Sequence, residues 1–163
     1  LRLDFTSIGA EDLHALSTLT ALQSLSLHDA AFIGEEAELN AVASLTTLTN
    51  LDVSREIEPW REPDFFNPEM DGFMPRTDLD HGMVSQLTDE SVSALSTLVS
   101  LTTLDLGGQG QLTDEGIRSL STLSALALLN VAESAESLTD ERMRAVFPRV
   151  TTIYRDREDS LWY

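Results

Sequence analysis

Asp78, Asp80 and His81 stand close together in the stretch TDLDHGM. Two carboxylates and an imidazole could hold a divalent ion, and a held ion could activate water for hydrolysis. Metal loops space their ligands more regularly and turn on a glycine between them. A metal-dependent hydrolase is therefore the outlying reading, and no metal ligand is assigned. Glu35–Glu36 and Asp89–Glu90 could serve acid–base chemistry, but no basic or apolar neighbour stands ready to drive their proton affinities apart. His14 and His28 are isolated in the sequence. The chain has no phosphate-cradling glycine loop, no nucleophile elbow, no metalloprotease helix motif and no cysteine. The expectation is a protein that is not an enzyme and carries no cofactor.

A charged tetrapeptide does recur. LTDE stands at Leu87–Glu90, Leu112–Glu115 and Leu138–Glu141, with steps of about 25 residues. It could be a repeated ligand site or a repeated structural joint. After Leu112 the apolar residues Ile117, Leu120 and Leu123 return every third position, which predicts a short helix over 114–122. Thr88, Thr113 and Thr139 then fall one residue before a helix, where a hydroxyl accepts from free backbone N–H groups. The Asp and Glu that follow fall in the first turn, where the helix dipole favours negative charge. Every residue of the motif has a structural task, so LTDE is read as a joint.

Upstream of each joint the pattern is L-x-x-L-x-L. Leu22, Leu25 and Leu27 match Leu48, Leu51 and Val53; Leu101, Leu104 and Leu106 match Leu126, Leu129 and Val131. The last three positions alternate, as in a short strand with one buried face. A strand and a helix of this size cannot bury their own apolar faces. Stacked units can, which makes the chain a solenoid. The run LTTLDLGGQGQLTDEGIRSLSTLSAL resembles a leucine-rich repeat, most closely the helix-containing type of F-box and ribonuclease-inhibitor-like proteins. One departure is plain. The family's Asn or Cys after the strand is replaced by Ala30, Glu56, Gln109 and Ser134, so its buried hydrogen-bonding ladder is not expected here. The resemblance implies an α/β leucine-rich-repeat horseshoe of five to six units. Parallel strands would line its concave face, with short helices on the convex face and one long inserted loop.

The same resemblance implies protein binding, through residues that lie between the strand leucines and face the concave side. The central column reads Asp4, Ser26, Asp52, Asp105, Asn130 and Tyr154. It is flanked by Arg2, Ser24, Asn50, Thr103 and Leu128 on one side, and by His28, Ser54 and Gly107 on the other. Carboxylates in a line suit Arg or Lys side chains of a partner. Residues 54–86 break the repeat with an acidic segment that holds four of the five prolines, and with them Trp60, Phe65, Phe66 and Phe73. Prolines forbid a long helix there. Aromatic residues serve interfaces and cores alike, so the insertion either contacts a partner or packs on its own solenoid. Asp52, Asp105, Asn130, Tyr154, Trp60, Phe65, Phe66 and Phe73 are the candidate partner-binding residues.

Composition narrows the partner. The formal charge is −18, and all ten basic residues are arginine. Such a surface repels nucleic acid and anionic membranes, and no apolar run is long enough to span a bilayer. A protein partner with a basic surface is expected, in a binding module or a permanent subunit of a larger complex. The alternative is a substrate-selecting adaptor or effector of the F-box kind, whose enzyme-recruiting part would lie outside this sequence. The whole of 1–163 reads as one domain, with 148–163 as an irregular capping unit where Arg155 replaces the expected leucine. The mid-strand opening LRLDF lacks a recognisable cap and suggests sequence further upstream. No targeting signal is visible, so the compartment is open, with an intracellular location slightly favoured.

Overall fold

The computed structural model describes residues 1–30, 36–55, 87–132, 134 and 139–154. Five three-residue strands pair in parallel and in chain order: β1 Ser24–Ser26, β2 Asn50–Asp52, β3 Thr103–Asp105, β4 Leu128–Asn130 and β5 Thr152–Tyr154. Helix α1 (Ala10–Leu16) precedes β1, α2 (Glu36–Ala43) follows it, and α3 (Asp89–Ser93), α4 (Asp114–Ser119) and α5 (Asp140–Val146) precede β3, β4 and β5. The register stacks Leu25, Leu51, Leu104, Leu129 and Ile153 in one row. This is an α/β leucine-rich-repeat solenoid: the periodicity predicts the stacked units, and the resemblance implies their type.

The joint works as expected. Thr88, Thr113 and Thr139 are N-caps whose hydroxyls accept from the backbone N–H groups of Ser91, Glu115 and Arg142. The helix expected over 114–122 is α-helical to Ser119 and then tightens to a 3-10 turn over Leu120–Thr122. A 3-10 turn repeats every three residues, which keeps Ile117, Leu120 and Leu123 on one buried line. The aspartate of the joint does more than complement the helix dipole. Asp89 Oδ1 accepts from the Thr113 N–H at 2.8 Å and Asp89 Oδ2 from the Thr113 hydroxyl at 2.5 Å, so one joint grips the next. Gly116 permits that grip, because a Cβ there would stand 2.2 Å from Asp89 Oδ1.

Threonines carry a second set of ties between repeats. The hydroxyls of Thr47, Thr97 and Thr122 donate to the carbonyls of Leu22, Ala43 and Ser96. Those of Thr49, Thr102 and Thr151 donate to Gln23, Thr49 and Ala127. Each bond spans adjacent units; those to Gln23, Thr49 and Ala127 join carbonyls that also accept backbone N–H groups of the next strand.

Two expectations change. Arg2, not Asp4, pairs with Ser26, because Leu3 N–H donates to Ser26 O and Ser26 N–H to Leu1 O. The first unit is aligned by Leu1 and Leu3 onto Leu25 and Leu27, two residues away from the alignment that put Asp4 in the central column. The post-strand ladder, not expected from Ala30, Glu56, Gln109 and Ser134, is present in part. Gln109 and Ser134 are both buried, and the Gln109 N–H donates to Ser134 Oγ at 2.9 Å. The Ser134 hydroxyl donates in turn to Leu106 O at 3.0 Å. Amide and hydroxyl groups take the place of the family's Asn or Cys. Arg155, Trp60, Phe65, Phe66, Phe73, Asp78, Asp80 and His81 lie outside the described residues.

Candidate functional site

The outward row of the sheet places Ser26, Asp52, Asp105, Asn130 and Tyr154 side by side, in the order expected for the central column. Their burial is not uniform. Asp52 and Tyr154 are half-buried, while Asp105 and Asn130 are 2% and 4% exposed. The reason is local. Asp52 Oδ1, Asp105 Oδ1 and Asn130 Oδ1 each accept from the backbone N–H two residues on, at Ser54, Gly107 and Ala132. Each side chain thus closes the turn that leaves its own strand. Asn130 Nδ2 also donates to Asp105 Oδ2 at 3.0 Å.

Burial pushes the Asp105 carboxyl up to about 6; the Gly107 N–H lowers it, the neighbouring Asp52 charge adds to the rise, and Asn130 and His28 oppose it. A carboxyl whose folded pKa lies above its unfolded value binds its proton more tightly when folded. The resulting stabilisation is complete below about pH 4 and is lost as pH rises through about 6. Asp105→Asn is expected to remove that loss, since Asn130 shows that an amide closes the same turn. Its Nδ2 would meet Asn130 Nδ2 in place of the carboxylate acceptor, a cost present at both pH values, so the expected effect is in the difference. Between pH 4 and pH 7.5 the variant should gain up to about 2–3 kcal/mol relative to the parent chain. Urea unfolding at the two pH values checks this.

A shallow groove crosses the sheet between Arg2, Ser24, Ser26, Asn50, Asp52 and Thr103. Its carboxylates belong to a hydrogen-bonded chain. The Ser26 hydroxyl is shared by Asp4 Oδ1 and by Asp52 Oδ2 at 3.3 Å, and Arg2 reaches Asp4 Oδ2 at 2.6 Å. Burial alone would raise the Asp4 carboxyl, but bonds from Ser26 and Arg2 and the Arg2 charge outweigh it and hold it below the ordinary range.

Ser54 deserves the test that a serine between an imidazole and a carboxylate invites. Ser54 Oγ lies 2.5 Å from Asp52 Oδ1 and 2.8 Å from His28 Nδ1, with His28 Nε2 3.6 Å from Asp29 Oδ2. A carboxylate only accepts, so the Ser54 proton points to Asp52 and His28 Nδ1 donates to the serine oxygen. In that arrangement the imidazole holds no lone pair toward Ser54 and does not activate it. Ser54 is also buried. The trio is a fastening for the turn after β2.

Of the expected contacts, the structure gathers Asp52, Asp105, Asn130 and Tyr154 into one row. The flanking row of Ser24, Asn50, Thr103, Leu128 and Thr152 is more open at its first position, where Ser24 is exposed, and half-buried beyond it. Sequence reasoning places that row on the concave face as a flanking column but leaves it out of the named partner-binding residues. Its signal is the second x of L-x-x-L, directly before the middle leucine. Among the described residues, no helix is long and apolar enough to cross a membrane.

No protein-family profile matches the chain. A search of curated proteins finds no relative. Among solved structures, an internalin (inlF) from Listeria monocytogenes is similar, with a TM-score of 0.56 over 87% of this chain at 22% identity. The chain spans 31% of the internalin's length. At this identity the likeness supports the leucine-rich-repeat architecture alone, and it does not single out the F-box-type repeat.

Proposed function

We propose that the chain is a non-catalytic protein-binding module whose concave face receives a basic segment of its partner. One observation carries the reading. Along the strands, the inner positions fill the core, while Ser24, Asn50, Asp52 and Thr103 line an outward groove with carboxylate charge beside it. Asp105 and Asn130 are buried in the same row, with their polar groups engaged in closing their own turns and in bonding to each other. Tyr154, half-buried at the far end of the row, would supply an apolar contact with a polar tip. Trp60, Phe65, Phe66 and Phe73 would add aromatic anchors from the insertion.

The non-catalytic part of the reading draws on the arrangement of Ser54, which leaves His28 as a donor. A permanent subunit and a substrate-selecting adaptor would use the same surface. The adaptor needs an enzyme-recruiting part as well, so the binding module is the reading adopted.

Site-specific photo-crosslinking tests the face. A benzophenone side chain at position 50 or 103 should capture a protein from the source cells, and the same group at Val99, exposed before β3, should not. Capture from position 99 alone would place the partner away from the concave face and overturn the reading.

A further inference from the structure

Gln109 joins three parts of the chain that are far apart in sequence. Its Nε2 donates to Val53 O at 2.6 Å, and its Oε1 accepts from the Leu87 N–H at 3.1 Å. Val53 stands just before residues 56–86 and Leu87 directly after them. Gln109 is itself 2% exposed, and its own N–H is held by Ser134. A single buried amide therefore fastens both the exit and the return of the segment, and ties both to the next unit.

The frame around this point closes without a gap. Leu51 pairs with Leu104 as directly as Leu25 pairs with Leu51, although 53 positions separate the first pair and 26 the second. The backbone ladder continues past the strand, with the Arg55 N–H on Gly107 O at 2.8 Å, as the Gly108 N–H is on Ala132 O at 2.8 Å. Arg55 occupies the position of Gly108, and Leu87 that of Leu112. Residues 109–111 bridge the later pair, and residues 56–86 the earlier one. Lengthening a loop costs only slowly growing entropy once its ends are fixed. Here the fixing is done by Gln109, a group outside the loop.

We infer that Gln109 is a two-ended latch, and that the solenoid closes on it without help from residues 56–86. The latch is independent of what the segment contacts, so the binding proposal and this one fail separately: one through cross-linking, the other through stability and exchange.

Two variants test it. In the first, residues 56–86 are replaced by Gln-Gly-Gln, the residues at 109–111. The shortened chain should unfold in one transition with a midpoint within roughly 5 °C of the parent, and its Leu87 amide should stay protected from hydrogen exchange. In the second, Gln109→Leu in the full chain should speed exchange of the Leu87 amide at least about tenfold relative to that of Leu106, which is bonded to Asn130 O. Gln109→Glu keeps the acceptor for Leu87 and loses the donor to Val53. It should protect Leu87 better than Gln109→Leu does, which keeps the test open if the leucine variant folds poorly. A shortened chain that does not fold would show the segment to be part of the frame. Equal Leu87 exchange in Gln109→Leu, Gln109→Glu and the parent would remove the latch.

Discussion

Leu104→Ala is expected to lower the unfolding free energy by about 3–5 kcal/mol, the range for a leucine removed from a closed core. Leu104 is fully buried and lies in register between Leu51 and Leu129, at the centre of the stacked row. Its side chain faces residues from both neighbouring units, and a cavity there weakens two interfaces together. In a solenoid each unit is supported only by its neighbours, so the loss at the middle should reach the whole array. Leu19, which is 45% exposed, provides the control, and its truncation should change stability by less than about 1 kcal/mol. Urea unfolding of the two variants makes the comparison. A similar cost at both positions would mean that the row is not the core of the stack.

Gly108→Ala is expected to cost about 2–4 kcal/mol, as a strained backbone and a steric clash combine. Gly108 has φ +73°, and a Cβ there would stand 2.2 Å from the Arg55 carbonyl oxygen. The conformation alone does not demand glycine. Phe5 and Asp29 hold the corresponding turns at φ 56° and 49°, each at a cost of about 1–2 kcal/mol. The carbonyl of Arg55 is what sets Gly108 apart, because that backbone is held against Gly107 O and has little room to retreat. Thermal unfolding should show the loss, and an unchanged midpoint would mean that the turn moves freely.

The solenoid was legible because its signal is redundant. Leu25, Leu51, Leu104 and Leu129 each report the same strand, and three LTDE joints report the same helix start. The central column from Ser26 to Tyr154 followed from that period without further information. The first unit was misaligned because LRLDF offers two alternating registers, and only the backbone bonds of Leu1 and Leu3 to Ser26 choose between them. Burial was harder to read than order. Asp52 and Asp105 occupy the same repeat position, yet the first is half-buried and the second closed off, since neighbouring units decide what covers each. The ties made by Gln109, Asp89 and the threonines were not legible for a related reason. Apart from the Thr113 hydroxyl on Asp89, their partners are backbone groups one or more repeats away, and a side-chain pattern carries no record of those.

We propose that recognition belongs to the concave face and not to the negative charge of the chain as a whole. Calorimetric titration with a short arginine–serine peptide tests it on two variants of equal net charge, Thr103→Arg and Val99→Arg. Thr103 lines the groove, and Val99 is exposed outside it. Thr103→Arg is expected to weaken binding at least about tenfold at low salt, and Val99→Arg by less than about twofold, since a local charge clash exceeds a screened distant one. Equal losses in the two variants, or no binding by the parent chain, would contradict it.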